Sequence, residues 1–434
     1  MISGKQLLPV LIGAALGVGG WMYGIQNGGG SGAVSAGGLE DQLRIAEEEI
    51  GMLQKENESL RSLAQGGGEV SIPAEMIELI EKDYDLEFLS TPVFHRIASE
   101  ELGYRIEAAI ESRMGPQGID DRNEAFQRIG WLRPEDRLLE QMVAIRSVGA
   151  LGWFDEGTGD AWVTERFDLK NVPDQAAALR LLVRILLNQH FPAMAAYPGD
   201  DLARAREALH AGAASGAETR FFARSAQAIG FVPMNENGAA ARLLMTLPDF
   251  LQGLAMFPAV EGKGLGDTLF VKGKEAFAEG MRNPPENTLE VVFPGEKGRG
   301  GKLSIAGIED EVYLEESAGY LGLNLWVAEM GDVGLAGKIA GSWIKDGYVL
   351  FADGESSSGL VWDVAFESEK AADLFQAVAL DRVAAMSNAG KIPALGEVIE
   401  TEGRFFRVVR IDQEAVRFIN AATRETATKG FEEL

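Results

Sequence analysis

Cysteine is absent from the 434 residues, and histidine nearly so, with only His95, His190 and His210. Disulfides, thiolate nucleophiles and cysteine-ligated metals are thereby excluded, and three scattered imidazoles leave little material for a histidine metal centre. Positive charge is also short: 40 Lys and Arg stand against 66 Asp and Glu, a net −26. A nucleic-acid partner needs clustered cations to displace counterions, so that class is set aside. The acidic surplus favours solubility and says little more. No GxSxG, GxxxxGK[ST] or GxGxxG motif stands in a strand–turn–helix setting, and Gly262, Gly264 and Gly266 read as loop.

What is present is enough to fold. Hydrophobic residues make up 46% and aromatics 8% of the chain, which suffices for a real core. The length exceeds one compact domain, so an anchor followed by one large or two medium domains is expected.

Charge is missing again from Leu7 to Ile25. At about 1.5 Å per residue this run matches the roughly 30 Å hydrocarbon core of a bilayer. Residues 1–26 read as a cytoplasmic stub and an uncleaved, single-pass transmembrane signal anchor. Cleavage near the distant Val34-Ser35-Ala36 is the alternative. Lys5 lies on the short side, which places the rest of the chain on the extracytoplasmic side of the inner membrane. Gly13, Gly17, Gly20 and Gly24 stripe one face of the span and permit close helix–helix approach. Residues 27–38 form a flexible Gly/Ser/Ala linker. Residues 39–65 carry a heptad, with Leu43, Ile50, Asn57 and Ala64 at one core position and Leu39, Ala46, Leu53 and Leu60 at the other. A lone asparagine in such a seam sets register and favours parallel pairs. The expectation is a homodimer through this coiled-coil stalk; a single amphipathic stalk helix is the alternative.

From Ile72 the chain is dense and mixed. Helices are expected at 73–83, after a cap at Ser99, at 122–129 and at 134–148, with 86–97 mostly extended. Residues 149–168, GALGWFDEGTGDAWVTERFD, read as a β-hairpin around a glycine-rich turn. Residues 176–192, AAALRLLVRILLNQHFP, read as a long apolar helix. Arg180 and Arg184 lie one turn apart on it and share a face. Residues 392–421 alternate like strands of a small antiparallel sheet, expected as a hairpin over the C-terminal half, and the last five residues read as frayed.

Several of these stretches together resemble a group of bacterial zinc-metallopeptidase-like proteins of the HExxH (zincin, gluzincin-like) kind. The NQHF ending of the apolar helix is similar to the HALQDQHF-type ending of that family's active-site helix. There, HExxH supplies two zinc-binding histidines and a glutamate general base. The hairpin matches GFYDPxTGxxYV at Gly152, Phe154, Asp155, Thr158, Gly159 and Val163. Ala208, Leu209, Gly212 and Ala214 keep the frame of ALxEGxA, whose glutamate is the third zinc ligand. Residues 247–258, 282–297, 340–351 and LVWDVAFESEKAADLF continue the resemblance in order to about residue 380.

The resemblance implies an α+β protein with a zincin-like helical and hairpin domain over residues 70–280 and a C-terminal α+β part, 281–434, packed on it. It also implies that Arg180, Leu181, Arg184 and Ala211 occupy the positions of the first His, the Glu, the second His and the third ligand. A guanidinium has no lone pair for zinc and does not deprotonate in proteins, and leucine is no base. The expected protein is therefore a membrane-anchored pseudoenzyme with a binding or scaffolding role, no metal and no cofactor, and a protein or peptide partner. A hydrolase with a rebuilt or unrecognised centre, a relocated metal site on His190 and His210, and an assembly subunit beside an active paralogue are the alternatives. His190 is read as buried and hydrogen-bonded, His210 as a surface residue. Arg180 and Arg184 are a candidate anion site, for a peptide carboxylate for instance; pairing with internal acids is the alternative.

Overall fold

The structure, a computed structural model, describes residues 68–429 except 193, 195, 225–237 and 389. All of these lie in one compact unit, residues 63–434. The expected anchor, linker and stalk, with Gly13, Gly17, Gly20, Gly24, Leu43, Ile50, Leu53, Asn57 and Leu60, and the expected frayed end, fall outside the described residues. Among the described residues no helix is long and apolar enough to cross a membrane.

The helices in chain order are α1 (Ala74–Tyr84), α2 (Ser99–Met114), α3 (Pro116–Ile129), α4 (Leu138–Ser147), α5 (Val172–His190), α6 (Asp200–Arg224), α7 (Gly238–Leu244) and α8 (Asp249–Phe257). There follow α9 (Lys263–Lys272), α10 (Lys274–Arg282), α11 (Thr288–Val292), α12 (Gly319–Ala328), α13 (Val333–Ala340), α14 (Glu369–Ser387) and α15 (Arg424–Thr428). The strands are β1 (Glu69–Val70), β2 (Phe94–Ile97), β3 (Gly152–Phe154), β4 (Ala161–Thr164), β5 (Val312–Glu316), β6 (Trp343–Ala352), β7 (Ser358–Phe366), β8 (Ile399–Thr401), β9 (Arg404–Arg410) and β10 (Ala415–Ala421). They build two sheets, ordered β1-β2-β4-β3 and β5-β6-β7-β10-β9-β8. The larger sheet is antiparallel throughout, and the smaller has one parallel pair, β2 with β4. The class is α+β.

Strand alternation decides the packing of the larger sheet. Tyr348, Leu350, Trp362, Val364 and Phe418 face a core shared with α3, α12, α13 and α14. Val349, Phe351, Val361 and Ile419 face the other side, under a smaller cluster. Trp362 meets Trp326 of α12 edge-on, with ring centres 5.3 Å apart. Because α3 (Ala125, Phe126, Ile129) belongs to this core, no separation of cores falls at residue 280. A second core is built on α5, whose Ala177–Leu179, Leu181–Val183 and Ile185–Leu187 are buried among the small sheet, α1, α6, α9 and α10. An apolar surface on nearly every side is what a fully enclosed helix requires.

Several local expectations are corrected. The extended stretch 86–97 forms a strand only at Phe94–Ile97. Ser99 is the first helical residue and not a cap; its hydroxyl donates to Glu165 at 2.8 Å. Helix α3 starts earlier than residue 122, at Pro116, because a proline is already set for the first turn. The C-terminal strands are no separate small sheet: β10 inserts beside β7 in the middle of the large one. Gly262 and Gly266 are not loop. A wider, π-type turn (Pro258–Gly262) leads into α9, and these glycines lie against α6. A Cβ at Gly262 would sit 2.2 Å from the Ala208 carbonyl oxygen, so only glycine allows this approach.

Candidate functional site

Helices α5 and α6 run antiparallel, since Arg180 pairs with Glu218 while Arg184 lies in the field of His210. The hairpin β3–β4, with Trp153 opposite Trp162, closes over them. Its turn begins Asp155-Glu156, where Asp155 Oδ1 accepts from the Gly157 amide at 2.9 Å. The turn so shaped delivers Glu156 to the two helices α2 and α5. Arg184 donates to Glu156 Oε1, and Arg113 of α2 donates to Oε2 at 3.0 Å. Burial works against the ionised carboxyl of Glu156, but Arg184 and Arg113 overcome it and hold the group below its usual range.

Glu156 stands between two cavities, which also share Arg113, Ala203 and Glu207 in their walls. The larger, about 280 Å³, is enclosed by α2, α4, α6, α8 and the hairpin. Its lining is mainly apolar but includes five arginines, Arg113, Arg122, Arg146, Arg184 and Arg204, against four acids, Asp155, Glu156, Asp200 and Glu207. A net positive lining in a chain of net charge −26 runs against composition. The smaller cavity, about 270 Å³, takes in His210 and Arg206. His210 is therefore not a surface residue; burial pushes its pKa down to about 4, so the ring is neutral near pH 7.

One end of the larger cavity rests on a charged hub that bridges both cores. Arg122 of α3 donates through Nε to Asp200 Oδ1 at 2.8 Å and through a second nitrogen to Glu316 of β5. Asp200 also accepts from Tyr197 at 2.8 Å and from Tyr348 of β6 at 2.6 Å. Burial opposes its charge, yet Arg122 dominates and lowers the Asp200 pKa, while burial and Asp200 raise that of Glu316. Next along α6, Asp201 accepts from the Thr288 amide and hydroxyl, at 3.2 and 2.6 Å, and burial pushes it up to about 7.

The four positions singled out from sequence are dispersed in role. Arg184 lines the larger cavity with its side chain 14% exposed. Arg180 lines neither cavity; it is 39% exposed and lies 3.5 Å from Glu218. Leu181 is buried in the second core, against the hairpin at Gly152. Ala211 is half-buried on α6 next to His210. The other histidines stand apart: His190 makes the expected hydrogen-bond contact, Nε2 to the Glu87 carbonyl at 2.8 Å, but is half-buried where a buried ring was expected. His95 stacks beside Trp162 and lies 4.0 Å from Asp160. Among the described residues no group of three or more His, Asp and Glu side chains is arranged to hold a metal ion. Sequence reading missed Arg113, Glu156, Arg122, Arg204 and Asp200. Only the Asp200-Asp201 pair carried a local signal, as acids opening a helix.

No protein-family model, curated protein or solved structure matches this chain.

Proposed function

We propose that the protein is a non-catalytic binding or scaffolding protein on a zincin-like framework, anchored in the membrane by its N-terminal segment and dimeric through its stalk. The observation that carries this reading is the Arg113–Glu156–Arg184 arrangement. At a zinc centre, neutral imidazoles and a carboxylate surround a cation. Here two cations surround one carboxylate, at a helix position that the sequence resemblance equates with a zinc ligand. Such a charge-inverted site repels a metal ion and already saturates the carboxylate that a hydrolytic mechanism would draw on.

Metal analysis of the purified full-length chain, with a peptidase assay on an unfolded protein substrate, tests the reading. We expect zinc far below one equivalent per chain and no hydrolysis above blank. Stoichiometric zinc, or turnover abolished by a chelator, would sink it.

A hydrolase with a rebuilt centre is the rival reading. It is favoured by one observation: a neutral His210 lines the same cavity as Glu156 and Glu207. Metal-independent turnover lost in His210→Ala would establish that reading.

A further inference from the structure

The larger cavity holds a cation whose donors have no acceptor among the described residues. Arg204 comes from α6 and lines the cavity beside Phe126, Leu251 and Leu254. Its guanidinium carbon lies 5.9 Å from the Phe126 ring centre and 5.7 Å from that of Phe250, so two aromatic faces hold it in place. Among the described residues it makes no hydrogen bond and no ion pair. Asp200, one turn back, balances its charge but already accepts from Arg122, Tyr197 and Tyr348. The other four arginines of the lining are engaged. Arg113 and Arg184 share Glu156, Arg122 holds Asp200 and Glu316, and Arg146 lies 3.8 Å from Glu207.

We propose that this cavity binds a monocarboxylate with an apolar body, the carboxylate on Arg204 and the body against the walls of α2, α4 and α8. The proposal deepens the binding reading above and rests on it. A guanidinium is a planar fork that matches both oxygens of a carboxylate. The apolar walls, Ile110, Met142 and Leu254 among them, reward a hydrocarbon chain and give nothing to a purely ionic ligand. A second carboxylate would meet Asp155, Glu156 and Glu207, so one anionic group is favoured over two. At about 280 Å³ the space suits a chain of moderate length. Two sources carry this chemistry: a free fatty acid, and the C-terminal residue of a peptide with an apolar side chain.

Calorimetric titration of the full-length chain in lipid nanodiscs, with empty discs as blank, tests it. The probes are octanoate and N-acetyl-dileucine, each beside its uncharged amide. At least one acid should bind saturably, and its amide at least tenfold more weakly; the better acid identifies the source. Arg204→Gln should bring the acid down to the level of its amide, whereas Arg180→Gln should leave it unchanged. Ala255→Phe fills the cavity without altering charge and should weaken the acid at least tenfold, which keeps the test available if the arginine variant does not fold. No saturable binding of either acid, equal affinity for acid and amide, or binding indifferent to Arg204→Gln in a folded variant overturns the proposal. Zinc content and peptidase activity of the same preparations report on the non-catalytic reading separately.

Discussion

Arg184 and Glu156 are joined by a charge-assisted hydrogen bond that ties the apolar helix α5 to the turn of the β3–β4 hairpin. The carboxylate's second oxygen is taken by Arg113, so one acid serves two guanidiniums from different helices. Removing an arginine leaves an ion pair, whereas removing the acid leaves two cations facing each other.

Glu156→Gln should therefore cost about 3 kcal/mol, the range for breaking a buried pair. Arg180→Gln should cost less than about 1 kcal/mol, because its pair with Glu218 is long and partly solvated. Combining Glu156→Gln with Arg184→Leu should recover part of the loss. Urea unfolding of the four proteins measures this, and equal costs for the two single variants would contradict it.

Asp201 makes stability depend on pH. Its folded pKa is pushed up to about 7 by burial, with Asp346 adding to the effect, while an unfolded aspartate ionises near about 3.9. Between these values the folded chain binds more protons than the unfolded one. The contribution is therefore full below about pH 4 and is lost as pH rises towards about 7. Asp201→Asn keeps an oxygen to accept from Thr288 but removes the titration. Variant stability minus wild-type stability should climb across that window by on the order of a few kcal/mol. Glu156 and Asp200 have lowered values and act in the opposite sense, and they cancel in the difference. A flat difference would reject the assignment.

The crossing of α6 and α9 depends on glycine. Gly262→Ala should cost more than about 3 kcal/mol or prevent folding, since its Cβ meets backbone that cannot rotate away. Gly264→Ala, with nothing within 4 Å of the added carbon, should be neutral or slightly stabilising. Thermal unfolding of the pair gives the comparison; similar shifts would show that the approach is looser than the structure has it.

Across β7 and β10, Asp363 stands directly opposite Arg417 and takes two hydrogen bonds from it, at 2.7 and 2.6 Å. Both side chains are buried. Asp363→Ala should cost about 3–5 kcal/mol by stranding the guanidinium, and Asp363→Leu with Arg417→Met should cost clearly less. A double-mutant cycle that gave additive losses would refute this coupling.

The parts of the fold legible in advance were those written in a local period. The hairpin at Gly152–Thr164 and helix α5 follow from short-range alternation and a continuous apolar run; the hairpin stands where the pattern placed it, while α5 begins at Val172 and ends at His190 where 176–192 was expected. Boundaries were less legible: α6 begins at Asp200, well before the stretch that marked it. The place of β10 was hidden because strand order has no local signature, and a C-terminal strand can as well extend a sheet as enter its middle. The glycines at 262 and 266 were misread for a similar reason. Glycine marks a loop or a close helix crossing alike, and only the neighbouring backbone tells which.

By itself the sequence determined the α+β class, the enclosed helix carrying Arg180 and Arg184, and the presence of guanidiniums, which do not ligate zinc, at those positions, all consequences of residue type and near spacing. Tertiary structure alone decided that Arg184 lines the larger cavity while Arg180 pairs with Glu218 and lines neither of the two cavities described, and that Glu156 sits between Arg113 and Arg184. It also decided that Arg122 reaches Asp200 and Glu316, from 78 and 194 positions away. Charges so distant along the chain leave no periodic trace; their meeting is set by helix packing and strand order, which bury them together and make each choose a partner.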